Sequence, residues 1–360
     1  FFGESVTTLQ LIELARDARM EGLKSAPDFA PLQDACRDLD KAARDLRLAI
    51  PDENARFAAR DAEARPLFAP ALEAAAKRLD ELAALLGQQA ERSEDLANCS
   101  ERAQELAGRL GRWCAGDVPD SVRWVELYTQ SMALNRTPLA IADIFQRQMQ
   151  DHPRAWIFTS ATLSVGGDFS HYCGELGLSD ARTESWDSPF DYANCGLLYV
   201  PTGMPDPNNP GYVEACAEAA WPALRAAGGS AFVLCTSLRA MRRMHAWIGE
   251  RLHAEGLELP LLLQGEGSRA DLLARFRRAG NAILVASQSF WEGVDVRGRA
   301  LRLVVIDRLP FAPPDDPVTA ARIDQMQQSG RKPFFEYQLP RAVISMKQGA
   351  GRLIRDESDH

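Results

Sequence analysis

The spacing of the apolar residues changes near position 116, and this change divides the chain into two kinds of structure. Before it, apolar side chains recur at alternating spacings of four and three residues, as in Leu32, Cys36, Leu39, Ala43, Leu46 and Ile50. Such a stripe lies on one face of a helix and packs against a neighbouring helix. It predicts a helix over residues 32–50, ended by Pro51.

Three further helices are predicted before the change of period. Thr7 and Gln10 have the spacing of a capping box and begin the first of them. Leucines at positions 72, 79, 82 and 86 continue the stripe in the second, and the third covers residues 94–113. Residues 1–120 are therefore expected to form a helical hairpin or small bundle of long antiparallel helices.

Beyond the change, short apolar runs alternate with amphipathic stretches. The first predicted strand begins at Val122, and the others cover 133–141, 154–160, 197–200, 230–234, 261–263, 282–286 and 301–306. The predicted helices cover 212–227, 238–255, 269–279, 320–329 and 339–350. Apolar strands separated by helices predict an α/β fold with a parallel sheet that is covered on both faces. Such sheets bind ligands at the carboxyl ends of their strands.

Composition excludes several classes of protein. With 46% hydrophobic and 25% charged residues, the 360-residue chain is neither disordered nor collagen-like. Its net charge of −9 argues against coating nucleic acid through bulk charge, although a local basic groove is compatible with it. No signal peptide and no apolar run of roughly 20 residues is visible, so a cytoplasmic protein without membrane contact is expected. The chain starts without Met, as a fragment or a processed product would.

The cysteines predict no special chemistry. There are seven of them, an odd number, and no two have the C-x-x-C spacing. A disulfide framework is not expected in a long chain that has no export signal. Paired spacings typical of zinc sites are also missing. We expect free thiols and no metal site in this chain.

The carboxyl-terminal segment carries the most specific pattern. Arg352 and Arg355 are three residues apart, a spacing that places both on one face of a helix, with Gln348 one turn ahead. Gly351 permits the close approach of a ligand or another backbone. Paired guanidiniums suit the charge that develops on a transferred γ-phosphoryl group. A surface helix whose arginines pair with the acids that follow is an equally weighted alternative.

A second pattern follows the predicted strand 282–286. Gly293 permits a tight turn, and Asp295 places a carboxylate beside Glu292 at the mouth of the sheet. A carboxylate there accepts hydrogen bonds from a ribose hydroxyl or orients an arginine. The alternative is an ordinary loop with an aspartate-stabilised turn.

Hydroxyl side chains end two other predicted strands. Ser160 and Thr162 suit hydrogen bonds to a phosphate, a water or a neighbouring loop, and a helix N-cap is the alternative. Thr236 and Ser237 suit contact with a nucleic-acid backbone.

Taken in order, these segments resemble the motifs of superfamily 2 helicases of the XPD-like, DinG-type branch, in particular the DinG/YoaA group. Residues 160–162 match motif III, and residues 236–237 lie where motif IV is expected. Residues 292–295 match motif V and residues 348–355 match motif VI. The run Ile306–Phe311 is also typical of this branch.

The resemblance implies a RecA-like parallel-sheet motor domain with a helical Arch-like domain before it. Residues 1–120 would be the Arch-like domain, 121–195 the remnant of the first RecA-like domain, and 196–360 the second RecA-like domain. The implied catalytic set is Gln348, Arg352 and Arg355, the nucleotide-binding set is Glu292, Gly293, Asp295 and Gly351, the coupling set is Ser160 and Thr162, and the DNA-binding set is Thr236, Ser237 and Phe311. Phe311 would stack on a base, with core packing as its alternative.

Two motifs of this branch are missing. The chain contains neither G-x-x-x-x-G-K-[ST] nor D-E-A-H, so it has no loop to cradle phosphates. We therefore expect the chain alone to hydrolyse no ATP. ATP and Mg²⁺ are the cofactors expected of the longer protein, and its 4Fe–4S cluster is expected only upstream of this chain, which alone would bind none of them.

The function implied for the longer protein is that of an ATP-dependent DNA helicase that moves 5′ to 3′ on single-stranded DNA in repair or replication rescue. Single-stranded DNA, ATP and a replication or repair protein are the expected partners. Two alternatives remain open: a non-enzymatic interaction module built on the long helices, and a related RNA-dependent ATPase.

Overall fold

The computed structural model describes residues 2–152, 154–188, 190–287, 290, 296 and 298–354. Packing divides the chain into two compact units. The first unit comprises the residues up to Arg154 together with Glu175–Gly177 and Pro313–Arg331. The second unit comprises the intervening segments and the residues after Arg331.

A bundle of four long helices dominates the first unit. The helices at its amino-terminal end are α1 (Thr8–Ser25), α2 (Ala30–Leu48), the short α3 (Ala59–Glu63), α4 (Phe68–Gln89) and α5 (Glu94–Cys114). Helix α1 contacts α2, α2 contacts α4, α4 contacts α5, and α5 returns to α1. The Thr7 Oγ1 atom accepts from the Gln10 N–H at 3.0 Å, and the Gln10 Oε1 accepts from the Thr7 N–H at 2.9 Å. The predicted capping box is thus confirmed.

An antiparallel sheet shares the core of this bundle. Its strands are β1 (Glu4–Thr7), β2 (Ala55–Ala58), β3 (Ser121–Leu127) and β4 (Met132–Pro138), in the order β1-β4-β3-β2. Val6 lies opposite Leu134, and both side chains are buried with the apolar stripes of the helices. Strands β3 and β4 therefore pack with the helices that precede them, because they complete the sheet that β1 begins.

The division by packing differs from the boundaries expected at residues 120 and 195. The first unit continues past residue 120 through β3, β4 and helix α6 (Ala142–Asp151), and it also includes helix α12 (Pro317–Gln328). Helix α12 contacts β2 and β3, which explains why it belongs with that unit. The assignment of residues 1–120, 121–195 and 196–360 to named helicase domains stays a prediction.

A four-stranded parallel sheet forms the centre of the second unit. Its strands are β5 (Ala231–Cys235), β6 (Leu261–Leu263), β7 (Ile283–Ser287) and β8 (Leu303–Ile306), in the order β6-β7-β5-β8. The remaining helices of the described chain are α7 (Ser170–Leu176), α8 (Tyr192–Cys195), α9 (Tyr212–Ala226), α10 (Leu238–Ala254), α11 (Arg269–Ala279) and α13 (Leu339–Ala350).

Helices cover both faces of this sheet, as the apolar runs predict. Val233 and Val285 point into a core with α9 and α10. The alternate residues Phe232 and Leu284 point into a second core with α11. The predicted α/β class and the parallel sheet are confirmed. Among the described residues, none of the helices has both the length and the apolar character that a bilayer-spanning segment requires.

Two predicted strands, 154–160 and 197–200, do not form. Ile157 is 84% exposed and Leu197 is 92% exposed, although both lie in apolar runs. The rings of Trp156 and Phe158 instead stack on each other, 6.3 Å apart. A strand needs hydrogen bonds from a neighbouring strand, and no described strand pairs with either run. The prediction was wrong because an apolar run does not reveal whether a neighbour exists.

The turn between α9 and β5 supplies a sharp test of the fold. Gly229 adopts a φ of +82°, and a Cβ added there would lie 2.0 Å from the carbonyl oxygen of Asn281. We expect Gly229→Ala to lower the free energy of unfolding by about 3 kcal/mol, through this clash and the left-handed backbone. Gly228→Ala is the matched control, since its φ is +64° with open space around the new Cβ; about 1 kcal/mol is expected. If urea unfolding shows equal losses of free energy for the two variants, the close approach of Gly229 to the Asn281 carbonyl is not what requires glycine there.

Candidate functional site

The carboxyl edge of the parallel sheet carries Thr236 and Ser237, the predicted DNA-binding pair, on the turn that follows β5. All four strands run in the same direction, so their carboxyl ends meet at one edge. Thr236 follows β5, Gln264 follows β6, Ser287 ends β7, and Asp307 follows β8. These four polar residues stand where each apolar strand ends, and the structure joins them in pairs.

Asp307 joins the ends of β5 and β8. Its side chain is only 3% exposed, and its Oδ1 accepts from the Thr236 N–H at 2.9 Å. The Thr236 hydroxyl donates to the Asp307 Oδ2 at 3.3 Å. In the sequence, Asp307 falls in a run typical of the helicase branch, but no role was predicted for it. The available signal was an acidic residue directly after an apolar strand of a parallel sheet.

Aromatic and basic neighbours complete the surroundings of Asp307. The Tyr212 hydroxyl donates to the Asp307 carbonyl oxygen at 2.7 Å. The Arg308 guanidinium lies 5.3 Å from the centre of the Tyr212 ring, and its Nε lies 3.6 Å from the Asp307 Oδ2. The Asp307 carboxylate thus contacts Thr236 at the end of β5 and Arg308 at the end of β8.

Burial raises the pKa of the Asp307 carboxyl above its ordinary 3.8, while the hydrogen bonds from Thr236 and the charge of Arg308 oppose the rise. Because the pKa is higher in the folded state than in the unfolded state, folding favours the protonated form. The contribution of this group to stability is therefore present below pH 3.8 and is lost as the pH rises through the folded-state pKa. At neutral pH the buried carboxylate is an energetic cost.

A second pair joins the ends of β6 and β7. The Gln264 Oε1 accepts from the Ser287 N–H at 2.7 Å and from the Ser287 hydroxyl at 3.0 Å. Each outer strand of the sheet is thereby tied to its inner neighbour at the carboxyl edge. The loop that follows β7 carries Glu292, Gly293 and Asp295, and these three predicted residues lie outside the described part of the chain.

The turn after β5 leads directly into helix α10. The Ser237 side chain accepts from the Ala240 N–H at 3.1 Å and caps the helix. Arg239 and Arg242 are exposed on the first turns of α10, and neither has an ion-pair partner among the described residues. Thr236 and Ser237, the predicted DNA-binding pair, therefore lie beside two guanidiniums that face solvent.

Phe311, predicted to stack on a base or to pack in the core, lies in a partly exposed aromatic cluster. Its ring stacks on Phe334 at 5.8 Å, and Phe334 meets Phe335 edge to face at 5.2 Å. Phe335 is 66% exposed. The backbone here is wound one residue wider than an α-helix, since the Leu339 N–H donates to the Phe334 carbonyl; turns of this kind are frequent at functional sites.

Ser160 and Thr162 lie together on an irregular segment. Their hydroxyls are 3.2 Å apart, and the Ser160 Oγ accepts from the Thr162 N–H at 3.2 Å. The Lys347 ammonium of α13 donates to the Ser164 carbonyl at 3.1 Å. This hydrogen bond joins the segment that resembles motif III to the helix that leads into motif VI.

The expectation of a helix that carries both motif VI arginines is wrong for Arg352. Helix α13 ends at Ala350, and Gly351 closes it through a hydrogen bond from its N–H to the Lys347 carbonyl. A Cβ at Gly351 would lie 2.9 Å from that carbonyl, which accounts for the glycine without a ligand. Gln348 lies on α13, Arg352 is half-buried in the turn that follows, and Arg355 lies outside the described residues.

The cysteines of this chain do not fit an iron–sulfur cluster. In the described ranges, no group of three or more His, Cys, Asp or Glu residues is arranged to hold a metal ion. Cys36 and Cys99 are buried in the helical bundle, and Cys216 and Cys235 are buried beside the parallel sheet. Burial raises the pKa of the Cys216 thiol to about 11, so this side chain is a protonated core residue at neutral pH.

Comparison with known proteins finds similarity to helicases. The family model of the helicase C-terminal domain matches residues 221–360. The chain is 41% identical over 363 residues to the ATP-dependent DNA helicase YoaA of Escherichia coli, and 38% identical over 360 residues to the ATP-dependent DNA helicase YoaA of Haemophilus influenzae. Each alignment covers 100% of this chain and 56% of the relative, so the chain spans about half the length of these relatives.

The fold has a solved counterpart. An XPD helicase superposes on 99% of this chain with a TM-score of 0.53 and 17% sequence identity, and the match covers 60% of that chain. At this identity the likeness concerns the fold alone. The helicase C-terminal match, the two sequence relatives and the ordered motifs together make this chain similar to part of the DinG-type, XPD-like helicases of superfamily 2.

Proposed function

We propose that the longer protein is an ATP-dependent DNA helicase that moves 5′ to 3′ on single-stranded DNA in repair or replication rescue, and that this chain supplies the second half of its motor. The observation that carries the proposal is the parallel sheet β6-β7-β5-β8, whose carboxyl edge carries Thr236 and Ser237 within residues 221–360, the segment that matches the helicase C-terminal domain. The naming of both YoaA relatives as ATP-dependent DNA helicases supports it.

In the nucleotide reaction, Arg352 and Arg355 would neutralise the charge that builds on the γ-phosphoryl group, with Gln348 orienting them or the attacking water. Glu292, Gly293, Asp295 and Gly351 form the proposed nucleotide-binding set. ATP would be held with Mg²⁺ against the other half of the motor. A 4Fe–4S cluster of the longer protein would lie upstream of this chain.

When single-stranded DNA binds, Thr236 and Ser237 would contact its phosphate backbone beside the exposed Arg239 and Arg242. Phe311 would stack on a base through the aromatic cluster that it forms with Phe334. Such stacking contributes about 1–3 kcal/mol per base. Ser160 and Thr162, near the Lys347 bond to Ser164, would couple hydrolysis to movement of the strand.

The proposal also assigns the domains of this chain and a protein partner. Residues 1–120 are proposed as the Arch-like domain, 121–195 as the remnant of the first RecA-like domain, and 196–360 as the second. We infer a replication or repair protein as a further partner. The exposed faces of the long helices carry many charged side chains together with exposed apolar ones such as Met20 and Leu48, and a protein partner would bind there.

The test compares ATP hydrolysis by the full-length protein and by this 360-residue chain. We expect the full-length protein to hydrolyse ATP faster when single-stranded DNA is added, and the chain alone to show no turnover, because it has no phosphate-cradling loop. DNA-stimulated turnover by the chain alone would contradict the proposal. A full-length protein that neither binds DNA nor hydrolyses ATP would favour an interaction module, and stimulation by RNA alone would favour an RNA-dependent ATPase.

A further inference from the structure

We propose that Asp307 is a positioning residue for single-stranded DNA: its carboxylate holds the turn at Thr236 and Ser237 against the end of β8, and so sets the grip of this edge on a strand. This role rests on the proposed function. Neither the motifs nor the names of the relatives assign a role to this residue.

Burial makes the Asp307 carboxylate costly. It is 3% exposed, and removing a carboxylate from water costs free energy that its few polar contacts only partly return. A neutral side chain of similar size would avoid this cost. A buried charge at the ligand edge of a parallel sheet is therefore best explained by the geometry that it imposes on its partners.

The same carboxylate connects two segments that reach the surface. On one side it holds the Thr236 N–H and hydroxyl, directly before the Ser237 cap of α10. The turn therefore sets where α10 begins and, with it, the position of the exposed Arg239 on its first turn. On the other side the next residue is Arg308, and the chain continues to Phe311. The segment after β5 and the segment after β8, which both reach the surface, are thus held in place by the Asp307 carboxylate.

Asp307 also balances the charge of its neighbour. The Arg308 guanidinium is held between the Tyr212 ring and the Asp307 carboxylate. Without that carboxylate, the Arg308 guanidinium would lose its nearby counter-charge and the contact that fixes its orientation at the end of β8. Asp307 therefore fixes the position of Arg308 as well as that of Thr236.

The experiment uses the full-length protein and three variants, Asp307→Ala, Asp307→Asn and Thr236→Val. Fluorescence anisotropy gives the Kd for a labelled single strand, steady-state kinetics gives the KM for ATP, and thermal melting reports folding. We expect Asp307→Ala to raise the Kd for DNA about tenfold while the KM for ATP stays within twofold. Asp307→Asn keeps an acceptor for the Thr236 N–H and is expected to raise the Kd about threefold.

A double-mutant cycle tests whether Asp307 acts through Thr236. Once Asp307→Ala is present, Thr236→Val is expected to add no further loss of DNA affinity. Glu255→Ala is the matched control: this carboxylate at the opposite end of α10 holds Trp221 and Arg251. We expect it to lower the melting temperature without changing the Kd for DNA.

Each outcome distinguishes an Asp307 that positions DNA-binding residues from an Asp307 that only stabilises the fold. If Asp307→Ala melts earlier but binds DNA as the wild type does, the positioning role is wrong. If Asp307→Ala does not fold, then Asp307→Asn and Thr236→Val decide, and unchanged DNA affinity in both would overturn the inference. A wild-type protein that fails to bind single-stranded DNA would instead contradict the proposed function, so the two failures are distinguishable.

Discussion

We expect Arg352→Ala in the full-length protein to lower the kcat of DNA-stimulated ATP hydrolysis by about 10³-fold or more, because an arginine that meets the transferring phosphoryl group supplies rate on this scale. The Kd for ATP should change only a few-fold, since the charge it neutralises develops mainly in the transition state. The residue lies half-buried in the turn after α13, so thermal melting is measured beside the kcat to separate loss of the charge from loss of the fold.

Two further variants make this prediction specific. Arg352→Lys keeps a positive charge but not the planar fork, and it should recover little of the rate. Arg341→Ala removes a different guanidinium of α13, which donates a hydrogen bond to the Tyr337 hydroxyl at 2.7 Å, and its kcat should stay within about twofold of the wild type. A kcat for Arg352→Ala within tenfold of the wild type, at an unchanged melting temperature, would rule out the proposed catalytic role.

We expect Arg47→Met to lower the free energy of unfolding of the first unit by about 3 kcal/mol. Arg47 is 8% exposed on α2, and within the described residues its guanidinium donates to four backbone carbonyls, those of Ile50, Asp52, Tyr128 and Thr129, at 2.9–3.3 Å. Methionine fills a similar volume but leaves these acceptors without this donor, which costs about 1–3 kcal/mol for each that water cannot reach.

The measurement is urea unfolding of the 360-residue chain, combined with hydrogen exchange to locate the loss in α2 and the β3–β4 turn. Arg44→Ala is the matched control one turn away on α2, where an exposed guanidinium pairs with Asp40 at 2.8 Å. A loss of about 0.5 kcal/mol is expected there. Equal losses in the two variants would show that the carbonyl contacts of Arg47 do not stabilise the fold.

Much of the fold was predictable because its signals are local. The apolar stripe from Leu32 to Ile50 places α2 within two residues of its observed bounds, Ala30–Leu48. Residues 261–263, 269–279 and 339–350 form the predicted elements without any change of bounds. In each case the period of the apolar residues, or a breaker beside them, carries the information.

The candidate site was less predictable because its contacts join distant residues. Thr236 and Asp307 are 71 positions apart, and Gln264 and Ser287 are 23 apart. No spacing rule connects such pairs. The motif resemblance identified Thr236 but not the carboxylate that holds it. The spacing of the two arginines suggested a shared helix face, whereas the apolar pattern ended the helix at residue 350, before Arg352, as the structure does.

Local patterns in the sequence were enough to predict the helical stripes, the parallel character of the second sheet and the chemistry of its loops, because these depend on neighbours within a turn or a strand. The pairing of the strands became visible only in the folded chain. The folded chain pairs β1 with β4 and leaves the apolar run at Leu197 without a described neighbour. Strand pairing and the burial of charges such as Arg47 and Asp307 depend on contacts between distant segments, which local patterns do not encode.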